Sequence, residues 1–138
     1  MCGQRWLVHL WESAPQFARP VQRIHRLRKG TDTVALLAAF RHVVASHPSL
    51  RLRLVKNPHG WRQLFPESDA EIAGVRIVGR TPAYRAAYAQ HLLAEDSSSA
   101  LDLRHHCPFI AKVLDVDGDL YWSLCLDHIA ADDLASVV

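Results

Sequence analysis

The chain has 138 residues, enough for one domain, with an ordinary globular balance of apolar and charged side chains and a formal charge of only +2. No basic run is interleaved with aromatics, which speaks against a nucleic-acid partner. No apolar stretch approaches the roughly 20 residues of a membrane span and no signal peptide is visible, while Cys2, Cys107 and Cys125 lack framework spacing; a reduced, cytoplasmic, soluble protein is expected.

Arginine outnumbers lysine (only Lys29, Lys56 and Lys112), a bias that hints at a GC-rich bacterial genome. Near the N-terminus, Trp6 and Trp11 are expected to pack rather than to bind a ligand. The first clear element is a strand, "PVQRIHRLR", in which Val21, Arg23, His25 and Leu27 alternate imperfectly with Gln22, Ile24, Arg26 and Arg28. "TDTVALLAAFRHVVASHP" follows. Thr31 or Asp32 can cap a helix whose apolar face is Leu36, Phe40 and Val43, and Pro48 ends it by disfavouring helical geometry at His47. His47 fits a helix-end residue better than a reactive group.

In "SLRLRLVKNPHGWRQLF", Leu50, Leu52 and Leu54 alternate with Arg51 and Arg53, and "NPHG" is turn chemistry before a second short strand. "GVRIVG" predicts another strand. Thr81 caps a second helix with Pro82 in its first turn, and Tyr84, Tyr88 and Leu92 make the face expected in the core. "EDSSSA", residues 95–100, reads as a loop. "PFIAKVLDVDGDLYWSLCLD" holds two strands joined by Asp117-Gly118, a two-residue loop whose twist suits a hairpin, with Leu120, Trp122, Leu124 and Leu126 on the expected buried face. The order predicts an α/β (α+β) chain with mixed strand pairing.

The chain closes on "CLDHIAADDLASVV", where His128 follows the last strand and the opening of a helix comes next. A strand end places an imidazole rigidly, and imidazole titrates where proton transfer near neutrality needs it. "RHHC", residues 104–107, lacks the paired spacing of zinc ligands, so no metal site is expected.

"DHIAADD" resembles the HHxxxDG motif of condensation domains of non-ribosomal peptide synthetases, in the chloramphenicol acetyltransferase-like superfamily. "LDLRHHCPF" with "IAKVL" resembles that family's FDLxxGPLLRxxL block. "SHPSLRLRL" is similar to RHExLRTxF, with Ser46 in place of the first arginine and His47, Leu50 and Arg51 matching. "GQRW" loosely resembles the opening AQxRLW. The resemblance implies that residues 1–138 are the N-terminal lobe of a two-lobed domain, with the hairpin central in its sheet and the second lobe absent from this chain.

It further implies acyl transfer from a carrier protein's phosphopantetheine thioester to an amine, with no cofactor bound directly. His128 would be the catalytic histidine. Asp132 would act structurally, paired with Arg51. Asp127 and Asp133 depart from the pattern, replacing its first histidine and its glycine. The partners implied are carrier proteins and the second lobe, and self-association of an isolated lobe is expected. Alternatives are a stand-alone O-acyltransferase of the superfamily, or a non-catalytic condensation-like domain that recruits a carrier or tailoring enzyme.

Overall fold

The computed structural model describes residues 9, 12–14, 19–67, 72–98 and 100–130. Cys2, Trp6, Trp11, the "GQRW" segment, Ser99, Asp132 and Asp133 lie outside the described residues. The elements are β1 (Val21–Arg26), α1 (Thr33–Ser46), a 3-10 turn (Pro48–Arg51), β2 (Arg53–Asn57), β3 (Gly60–Leu64), β4 (Ile72–Arg76), α2 (Pro82–Ser98), β5 (Phe109–Val116) and β6 (Asp119–Leu126).

The β5–β6 hairpin forms as the Asp-Gly signal predicts. Asp117 and Gly118 adopt φ of 57° and 85°, and Val116 faces Asp119 across the loop. That hairpin is the centre of a four-stranded sheet ordered β1-β6-β5-β4, with β4 parallel to β5 and the other pairs antiparallel. β2 and β3 form a separate two-stranded ladder. The mixed α/β expectation holds.

Helix α1 starts where Asp32 Oδ1 accepts from the amides of Val34 and Ala35, both at 3.0 Å. It stops at His47, whose backbone is extended before Pro48. Its inward stripe is Leu37, Phe40 and Val44, not the expected Leu36, Phe40 and Val43. Both stripes contain Phe40, and the sheet decides between them: Phe40 meets Phe109 and Trp122 edge-on, at centroid distances of 5.4 and 5.0 Å.

Because helices cover both faces of the sheet, β6 is buried on both sides. Trp122, Leu124 and Leu126 pack towards α1 as expected, yet the most buried residues of β6 are Ser123 and Cys125 on the opposite face. There α2 contributes Ala89, Leu92 and Leu93 against Leu114 and Tyr121. Tyr84 and Tyr88 are therefore not core: they stack on each other at 6.1 Å on the outer side of α2 and remain 55% and 41% exposed. Thr81 Oγ1 caps α2 by accepting from the Tyr84 amide. The helix also runs through Glu95–Ser98, where a loop was expected. The serine hydroxyls there donate back to the carbonyls of Ala94 and Glu95, which lets small polar residues end a helix without leaving it.

Candidate active site

The site is built at the end of β6. The Asp127 amide donates to the Pro108 carbonyl at 2.8 Å, tying the strand end to the approach of β5. The chain then turns into a helix at His128, and Asp127 caps it. Its Oδ1 accepts from the Ile129 amide at 2.9 Å, and its carbonyl accepts from the Ala130 amide at 3.0 Å. Asp127, Ile129 and Ala130 are buried; His128 alone among them is exposed. The two motif side chains thus point opposite ways, as adjacent residues at a strand end should.

Burial pushes the Asp127 carboxyl above its ordinary range. The Ile129 amide and the nearby His128 pull it down more weakly. Asp127 is therefore a structural carboxylate, one that aspartate's capping ability could have revealed from sequence alone, since it immediately precedes a helical pattern.

A second layer lies behind His128. Ile129 packs with Leu52, Leu54, Leu101 and Leu103, and Trp61 and Ile110 close the cluster. The expected in-facing set Leu50, Leu52 and Leu54 is buried, but regular strand begins only at Arg53. Arg51 consequently sits at the end of the 3-10 turn and not on the polar face of a strand; Pro48 sets that tight turn first. Its Nη1 donates to the carbonyls of Phe65 (3.4 Å) and Pro66 (2.8 Å), and its buried Nε has no hydrogen-bond partner among the described residues. Nδ1 of His47 donates to the Val43 carbonyl at 2.9 Å, the helix-end role its position implied.

The "RHHC" turn lies beside this region through Pro108. Asp102 organises it: its carboxylate accepts from the Arg104 amide and side chain, and its carbonyl from the amides of His105 and His106. The Arg104 guanidinium holds the Asp102 carboxyl below its usual range. Arg104, His105 and His106 are exposed while Cys107 is buried, and no metal-holding group occurs among the described residues.

No protein-family model and no curated protein matches this chain. Solved structures do. The starter condensation domain of rhizomide synthetase RzmA superposes with a TM-score of 0.77 at 17% identity, over 94% of this chain and 32% of that one. A mutant of that domain in a "product-released" conformation gives 0.81 at 17% identity, over 94% and 30%. The first condensation domain of the calcium-dependent antibiotic synthetase, in complex with a substrate analogue, gives 0.74 at 16% identity, over 91% and 31%. This chain spans less than a third of the length of each of these chains. Its fold is that of a condensation-domain lobe.

Proposed function

We propose that residues 1–138 are the N-terminal lobe of a condensation-type acyltransferase of non-ribosomal peptide biosynthesis, acting in the cytoplasm with a second lobe and carrier proteins. The observation that carries this reading is the exposure of His128 at a junction pinned by the Asp127 cap, on a fold shared with condensation domains. Solved complexes of the RzmA domain contain C8-CoA, and one contains Leu-SNAC as well, which favours thioester substrates here.

In this reaction the acceptor amine attacks the thioester carbonyl of an acyl group carried on phosphopantetheine. A C–N bond forms, the C–S bond breaks, and the amine proton passes through the His128 imidazole to the departing thiolate. His128 orients the amine and accepts its proton, a role worth roughly 10²–10⁴-fold in rate. The remainder comes from holding two tethered reactants together. No cofactor is bound directly.

Arg51 anchors the following helix through Asp132 in this proposal, and its Nε, which has no hydrogen-bond partner among the described residues, is the donor offered for that contact. Replacement of the first motif histidine by Asp127 falls on a buried capping position, so it leaves the exposed imidazole in place. Asp133 adds bulk and charge where the motif has glycine.

The test is turnover by the two-lobed domain, given an acyl carrier donor and an amine acceptor, with product read by intact mass. His128→Ala should cut product formation roughly 10²–10⁴-fold while leaving the domain folded. Undiminished product from the variant would sink the catalytic assignment of His128, and absence of product from the parent would favour the recruiting-module alternative.

A further inference from the structure

At the end of the sheet far from His128, the segment 27–30 and the hairpin tip 117–120 enclose an open cleft of about 490 Å³. β6 has eight residues between the two ends, which separates the cleft from His128 by about 25 Å. The cleft therefore does not belong to the site described above.

Its walls are fixed. The Leu27 amide donates to the Leu120 carbonyl at 2.8 Å, and Arg26 Nη2 reaches both carboxylate oxygens of Asp119 at 2.9 Å. The amide and hydroxyl of Thr31 both donate to the Arg28 carbonyl, which keeps the turn at 28–31 tight.

The charges around the hairpin tip are uneven. Asp115, Asp117 and Asp119 are each matched by an arginine, respectively Arg76, Arg85 and Arg26. Arg28 and Lys29 line the cleft, are exposed, and form no ion pair among the described residues. Two positive charges are thus left over, side by side, on a rigid rim.

We propose that this cleft docks an acidic segment of a partner protein. An acidic segment fits better than a small anion. The two cations are solvated and no buried donor among the described residues converges on the space, so a lone phosphate would keep its hydration and gain little. A chain segment carries several carboxylates at once and can also cover the half-buried Leu27 and Leu120. The proposal is independent of the catalytic role of His128.

The experiment uses the full chain and a fluorescein-labelled deca-glutamate peptide, followed by fluorescence polarisation and by amide chemical shifts. Saturable binding that weakens with added salt, with shifts confined to 27–30 and 117–120, is expected. Arg28→Ala with Lys29→Ala should weaken it roughly fivefold, whereas His128→Ala should leave it unchanged. Absence of saturable binding would overturn the proposal. So would shifts elsewhere on the surface, insensitivity to the double substitution, or equal occupancy by inorganic phosphate alone.

Discussion

Asp127 shows how one residue can look like a damaged catalytic position and be a structural one. Asp127 is 7% exposed, and its carboxylate spends its hydrogen bond on the Ile129 amide, next to His128 in the chain. Because burial raises its folded pKa above the unfolded one, its contribution is fully favourable only below the unfolded value. That contribution is lost as pH rises through the raised folded value. Asp127→Asn keeps a capping oxygen and removes the buried charge, so it should be more stable than the parent at neutral pH. The advantage should shrink as the parent's carboxyl protonates on acidification. Asp127→Ala removes the cap and should cost about 1 kcal/mol. Urea midpoints of the three proteins across pH would check both statements; a parent and asparagine variant with parallel pH profiles would contradict the first.

Among the elements, those with local causes were legible in the sequence. The Asp32 and Thr81 caps, the Pro48 stop and the Asp117-Gly118 loop depend on neighbours within a few residues, and each forms as expected. At Gly118, φ of 85° and open space around a Cβ make the constraint torsional and not steric. Gly118→Ala should therefore cost roughly 1–2 kcal/mol by equilibrium unfolding, with no loss of hairpin registry in amide spectra. Helix faces were not legible. Helical periodicity allowed two stripes through Phe40 and an inward tyrosine row on α2, and only the position of the sheet selects Leu37 and Val44 or turns Tyr84 and Tyr88 outward. The same limit applies to Arg51, whose alternation with leucines mimicked a strand that begins two residues later. The placement of His128 was readable because a strand end and an adjacent helix start fix it locally.

Across the whole molecule, α2 is joined to the sheet by a buried polar bridge as well as by apolar packing. Lys112 Nζ lies 2.7 Å from Asp96 Oδ1, and Gln22 Nε2 donates to the Leu93 carbonyl at 2.9 Å. Lys112→Met would strand the Asp96 carboxylate, whose Oδ2 already lacks a hydrogen-bond partner among the described residues. The loss should be about 3 kcal/mol, the lower part of the range for buried pairs, because the Lys112 side chain is 22% exposed. Adding Asp96→Leu should restore most of that loss in a denaturation double-mutant cycle; additive losses would show that the bridge is not coupled. The bridge also places α2 against β5 and β6, which are flanked by Pro108 and Asp127, so the architecture and the candidate site share one framework.

In the proposed function the two adjacent motif residues have separate duties, Asp127 supporting and His128 reacting. Product formation by the complete two-lobed domain, measured by intact mass for His128→Ala and Asp127→Asn side by side, tests it most directly. A loss of roughly 10²–10⁴-fold is expected for His128→Ala, and near-parental turnover for Asp127→Asn. Equal turnover by His128→Ala and the parent, or an equal collapse in both variants, would contradict it.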